Sequence, residues 1–163
     1  MEKEKVYLDS TIPSYRASEL SENAVTLVRQ KITIDWWDKN RGNYDLYISE
    51  VVLDEIKEGD TEEAKKRLEL VGEASLLRNL PETEETAREY MKYFNLPDKL
   101  YRDMYHIACS TIYKMDCLLT WNFTHLANFH MRKQLERFNR KLGFETPQIV
   151  TPEELLDDKG GEE

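Results

Sequence analysis

The sequence predicts an α/β protein: a three-layer α/β/α sandwich around a mostly parallel central sheet. Three observations point there. Short β-prone runs alternate with helix-period segments along the whole chain. Hairpin turn signals are missing between those runs, so the strands are expected to pair in parallel. The 163 residues, 40% of them hydrophobic, suit one core but not two.

The elements follow in order. Val6-Tyr7-Leu8 is short, apolar and flanked by charge, so it reads as a buried strand ending at Asp9. Pro13 then rules out a regular continuation. From about Glu22 to Lys39, the spacing of Val25, Val28, Ile32 and Trp36 predicts a helix with these residues inward. Trp36 and Trp37 are adjacent on that helix and are expected to face different ways, one of them at a contact with another protein chain. A second strand over 45–49 leads into a short helix through Val52, Glu55 and Ile56, which Gly59 stops. Asp60 opens the next helix, with Ala64, Leu68 and Val71 inward.

A weaker strand over 76–80 is closed by Pro81, and Thr83 caps a helix through Ala87, Tyr90, Met91 and Phe94. After Pro97 a helix presents Tyr101, Met104, Tyr105, Ala108 and Ile112 on its apolar face. Residues 117–121 form the fourth strand, ending at Asn122. A long helix over 125–142 buries Leu135, Phe138 and Leu142 and stops at Gly143. Gln148-Ile149-Val150 is the last strand, and Thr151-Pro152-Glu153-Glu154 carries the signature of a capping box. One domain over 1–156 and a frayed acidic tail over 157–163 are expected.

Net charge is −9, from 23 Lys and Arg against 32 Asp and Glu, where a generic polyanion binder would be basic. The charge is uneven, however. Residues 153–163 hold six acids and one lysine, while Arg132, Lys133, Arg137, Arg140 and Lys141 crowd one helix with only Glu136 against them. A nucleic-acid substrate therefore stays open. No run approaches the ~18 apolar residues of a membrane span. The apolar stretch after the charged first five residues is too short for a signal peptide. Cys109 and Cys117 lack the spacing of a metal or redox motif and read as reduced, buried thiols in a cytoplasmic protein.

In open parallel sheets, ligands bind beyond the carboxyl ends of the strands. Asp9, Ser10 and Thr11 lie there, as do Ser49 and Glu50, and Asn122 and Thr124. Glu55 and Asp103 sit on helices near the same ends, and Asp103 adjoins an apolar helix face with His106 three residues on. Three carboxylates gathered without matching cations would repel one another unless a cation sits among them. Hard oxygens favour magnesium or manganese over zinc. His106, His125 and His130 lack zinc-ligand spacing, and Asp116, a strand's length before Asn122, is expected at the opposite sheet edge in a structural role.

Competing sites fail on their own motifs. Asp9 is followed by Ser10-Thr11, not by the Asp-x-Asp of a haloacid-dehalogenase-like phosphatase. No glycine pattern of a P-loop or dinucleotide site follows a strand, and no G-x-S-x-G elbow is present. A response-regulator receiver would need adjacent acids near the first strand and an Asp ending the third, where Leu80 stands.

Several blocks recur in a known order: Tyr7-Leu8-Asp9-Ser10-Thr11-Ile12-Pro13-Ser14-Tyr15, Ser49 to Ile56, Asp103-Met104-Tyr105-His106-Ile107-Ala108, Leu118 to Asn128, and Thr151 to Leu155. In this the chain resembles PIN-domain proteins, in the bacterial branch of the VapC-type toxins. The resemblance implies a Mg²⁺- or Mn²⁺-dependent ribonuclease, the toxin of a toxin–antitoxin pair, with RNA as substrate and an antitoxin protein, and a possible homodimer, as partners. It maps the acids to Asp9, Glu55 and Asp103 as metal ligands, directly or through waters, and places Asn122 where the family often has Asp. Asn122, Thr120 and Ser10 would position the metal shell or the phosphate, Thr124 and the following helix start would offer N–H groups to a phosphate, and His125 would either touch RNA or cap and pack the helix. Arg132 and Lys133 head the candidate electrostatic handle for RNA. The alternative is a PIN-like module that binds RNA or protein without cutting, which Asn122 and the overall acidity favour. A metal-dependent phosphatase or DNA nuclease on the same site is a third, weaker reading.

Overall fold

In the computed structural model, which describes residues 2–156, β1 (Glu4–Leu8) is the strand about which the sheet is organised. It pairs on one side with β2 (Tyr44–Ser49) and on the other with β4 (Cys117–Leu119). β3 (Ser75–Leu77) lies outside β2 and β5 (Gln148–Val150) outside β4, giving the order β3-β2-β1-β4-β5 with every pair parallel. Val6, Tyr7 and Leu8 are all fully buried, as a strand covered on both faces requires. The order reverses between β1 and β4, so their carboxyl ends open the crevice in which such sheets bind ligands.

Among the described residues seven helices complete the α/β/α sandwich: α1 (Thr11–Ala17), α2 (Ala24–Asn40), α3 (Glu50–Lys57), α4 (Thr61–Val71), α5 (Pro81–Tyr93), α6 (Tyr101–Ile112) and α7 (Phe129–Leu142). Ser49 caps α3, Asp60 caps α4 and Asn128 caps α7 through their side-chain oxygens. Gly143 stops α7 at φ +81°, a left-handed conformation that glycine adopts without strain. The capping box at Thr151 forms as expected, on a short 3₁₀ turn over Pro152–Leu155. Asp116 accepts from Lys5 N at 2.7 Å at the far, amino-terminal end of the strands, a structural role. Cys109 and Cys117 are free and buried, and burial pushes their thiols up to about 12 and about 11. No helix among the described residues is long and apolar enough to cross a membrane. The tail over 157–163 lies outside the described residues.

Several expectations are corrected. Pro13 does not stop regular structure: it sits third in α1, where an N–H would have no intrahelical partner anyway. Val25 and Val28 are not inward but 59% and 56% exposed. The buried face of α2 is Gln30, Thr33, Trp36, Trp37 and Asn40. Its polar members pack inside because they are bonded, Gln30 to Ser21 N and Glu19 O, Thr33 to Arg29 O and Trp121 Nε1. Trp36 and Trp37 are both buried, in edge contact at 6.2 Å, with Trp36 stacked on Tyr44 and Trp37 beneath the Arg41 guanidinium. Neither is free to form a dimer or antitoxin contact.

β3 and β4 end earlier than expected, at Leu77 and Leu119. Pro81 opens α5 at its first position, and Thr83, buried inside that helix, caps nothing. α7 begins at Phe129, not His125, because Asn122 draws 123–127 into a turn: Asn122 O accepts from Leu126 N and Ala127 N, and Asn122 Oδ1 from His125 N. Leu142 is 40% exposed, since Leu135 and Asn139 provide the buried side of α7.

Candidate active site

Asp9 leaves β1 at the switch point and is 3% exposed. Its Oδ1 accepts from Thr11 N at 3.0 Å and from the Thr11 hydroxyl, and its Oδ2 accepts from the Thr120 hydroxyl. Thr120 lies just past β4 and also accepts from Asn122 N at 2.9 Å. Asn122 in turn donates from Nδ2 to Asp103 Oδ2 at 3.3 Å. One bonded line therefore joins Asp9 on β1 to Asp103 on α6 through the end of β4.

A second line reaches Glu55 on α3. The Ser49 hydroxyl meets Tyr7 Oη at 2.7 Å, Tyr7 Oη meets His106 Nδ1 at 2.7 Å, and His106 Nε2 meets Glu55 Oε1 at 2.5 Å. Val52 N donates to Ser49 Oγ, so the hydroxyl protons run from Ser49 to Tyr7 to His106 when Nε2 carries the proton facing Glu55. His106 is 1% exposed and lies electrostatically close to Asp9 and Asp103 as well as bonded to Glu55. His106 thus acts on all three acids, on Glu55 by a direct bond and on Asp9 and Asp103 through its field. Among the described residues, none of the three forms an ion pair with Lys or Arg; Arg102, paired with Glu58, reaches Glu55 only through its field.

Burial pushes the Asp9 carboxyl up to about 6, against the opposing pull of His106 and of the bonds from Thr11 and Thr120. Burial likewise raises Asp103, with Glu55 adding to the rise and His106, His125 and the Asn122 bond opposing it. A folded-state pKa above the unfolded 3.8 means that the fold holds this proton more tightly than the open chain does. Asp9 therefore contributes stability that falls as pH rises from about 4 to about 6, by about 3 kcal/mol at 1.36 kcal/mol per unit. The expected result is a midpoint near 6 for the Asp9 carboxyl in a ¹³C NMR titration, with Asp9→Asn melting above wild type at neutral pH and losing that margin near pH 4. A midpoint at or below 3.8 would contradict the burial argument.

The expected site residues divide into two groups. Asp9, Glu55, Asp103, Asn122 and Thr120 are brought together, and His125 lies near Asp103. Ser10 adjoins them at the head of α1, and Thr124 is exposed on the turn. The helix start expected to offer N–H groups beside Thr124 is displaced to Phe129. Arg132 donates to Ile149 O at 2.8 Å and so caps the outer edge of β5; neither it nor Lys133 bonds to the carboxylate site. His106 and Tyr7 were missing from the expected set, although the three-residue spacing from Asp103 to His106 was the available sign. Asn122 has both ends of its amide committed, to Asp103 and to His125 N, and so acts here as an orienting donor.

The donor set has the chemistry of a site for a hard divalent cation: carboxylate oxygens, half-buried or buried, with no Lys or Arg ion-paired to them among the described residues. Among the described residues no three His, Cys, Asp or Glu side chains stand close enough to hold one ion directly. Magnesium commonly takes only one or two carboxylates and fills its remaining positions with water and phosphate oxygens, so one or two of these acids would hold it directly and the rest through water.

No protein-family model matches the chain, and no curated protein sequence matches it. Solved structures do. VapBC2 from Rickettsia felis, bound to a DNA fragment from its promoter, superposes with a TM-score of 0.52 at 13% identity, over 90% of this chain and 98% of that one. VapC20 from Mycobacterium tuberculosis, a toxin that cleaves the sarcin–ricin loop, gives 0.54 at 12% identity, over 69% of this chain and 86% of that one. At such identities the likeness is one of fold, and the fold is a VapC-like PIN domain.

Proposed function

With a VapC-like PIN fold and this site as premises, we propose that the chain is a Mg²⁺- or Mn²⁺-dependent endoribonuclease, a cytoplasmic toxin restrained by an antitoxin protein and able to pair as a homodimer. The observation that carries the reading is the gathering of Asp9, Glu55 and Asp103, from β1, α3 and α6, at the sheet's switch point without a Lys or Arg ion-paired to any of them among the described residues. The sarcin–ricin cleavage by one structural neighbour supports RNA as the substrate, and the VapBC2 assembly of the other supports an antitoxin.

A bound divalent cation would supply an activated water and would offset charge on the departing oxygen. The chain's own groups do the rest. Thr11 and Thr120 fix the Asp9 carboxylate, and His106 holds Glu55. Asn122 orients Asp103 through Oδ2, which leaves Asp103 Oδ1 to accept the proton of the attacking water. The raised affinity of Asp103 for a proton suits that task.

Cleavage of RNA is expected in magnesium or manganese, to stop in excess chelator, and to return when manganese is added back. Undiminished cleavage in chelator would overturn the metal dependence. No cleavage, together with no manganese uptake at millimolar concentrations by calorimetry, would leave the non-cutting RNA- or protein-binding module in its place.

A further inference from the structure

The segment Trp121-Asn122-Phe123 ties an exposed aromatic ring to the carboxylate site. Trp121 N donates to the Thr11 hydroxyl that holds Asp9, and Asn122 donates to Asp103. The next side chain, Phe123, is 42% exposed. The Arg29 guanidinium lies over its ring at 4.8 Å and over Trp121 at 5.9 Å. The ring's support is fixed: Trp121 is buried, bonded through Nε1 to Thr33 at 2.7 Å and packed against Tyr15 and Phe123. Arg29 forms no ion pair among the described residues, so no carboxylate neutralises it at contact distance.

We propose that Phe123, backed by Arg29, seats an unpaired RNA base beside the scissile phosphate; this rests on the ribonuclease reading above. Unpaired bases stack on aromatic rings and guanidinium planes, while a base inside a duplex has both faces already covered. The site therefore selects single-stranded or looped RNA over helical RNA. The surrounding groove is apolar, with Val25 and Val28 along it and Glu153 as its acid. An apolar protein helix could also lie there, but it would leave Arg29 unpaired, whereas a nucleotide offers both a flat face for the ring and a phosphate for the cation.

The test uses a short unstructured oligoribonucleotide carrying a fluorescent adenine analogue, in chelator so that it is not cut, beside a duplex of the same sequence. Quenching on binding is expected for the unpaired strand. Phe123→Ala should weaken that binding about tenfold or more, Phe123→Tyr should retain it, and the duplex should be unaffected. Because Phe123 is exposed, Phe123→Ala should melt with the wild type, and Phe123→Tyr controls for any that does not. Equal binding of the unpaired strand by Phe123→Ala and wild type overturns the proposal. If wild type then still cuts RNA in manganese, the nuclease reading survives without this seat. If quenching depends on Phe123 but no cleavage occurs, the seat survives without the nuclease. Weakened binding of an apolar helical protein by Phe123→Ala, with RNA binding unchanged, overturns the proposal and marks a protein contact.

Discussion

Asp103→Asn is expected to lower RNA cleavage at least a hundredfold while leaving the melting temperature at or above that of wild type. The two halves of this result come from one observation. Asp103 lies half-buried near Glu55 and, among the described residues, receives a single side-chain bond, from Asn122, so its charge is held at a cost to the fold. An asparagine there keeps an oxygen for the Asn122 amide and removes the charge, which relieves repulsion from Glu55. It also removes the group proposed to accept the proton of the attacking water. Single-turnover cleavage and thermal unfolding, measured on the same sample, separate function from structure. Loss of both together would make Asp103 a structural residue, and unchanged cleavage would remove it from the chemistry altogether.

His106→Ala is expected to have the opposite balance, with a loss of about 3 kcal/mol or more in stability accompanying any loss of activity. His106 is buried on all sides and forms the middle of the bonded line from Ser49 through Tyr7 to Glu55. Truncation leaves a cavity and, among the described residues, leaves the buried Tyr7 hydroxyl with only Ser49 and Glu55 without its side-chain partner. Denaturant unfolding measures the cost directly. Tyr7→Phe breaks the same line one bond earlier, so the double variant should lose clearly less than the sum of the two single losses. Strict additivity would mean that the bonds are independent and that His106 does not couple the sheet to α3.

The sheet and the acids were legible because each has a strong local sign. Val6-Tyr7-Leu8 is apolar at every position and ends on an acid, and Asn122 ends the equally apolar run at β4. What local pattern missed was decided by partners far along the chain. α2 shows an apolar stripe through Val25 and Val28, yet its polar Gln30 and Thr33 go inside because Glu19, Ser21 and Trp121 bond to them. Trp37 is covered by an arginine four residues on, a contact that apolar spacing does not register. The delayed start of α7 depends on what the Asn122 amide bonds to, and the position of His106 depends on a tyrosine 99 residues away. Arg132, one of five cations that looked like a single handle, is spent on the edge of β5.

The most direct measurement is manganese-induced broadening of side-chain carboxyl resonances in ¹³C-labelled protein at neutral pH. One cation shared by the site should broaden Asp9, Glu55 and Asp103 together at substoichiometric manganese, and magnesium should reverse the effect by competition. Broadening that spares these three while appearing at surface acids such as Glu62 and Glu63 would contradict a shared ion, and with it metal-dependent cleavage at this site.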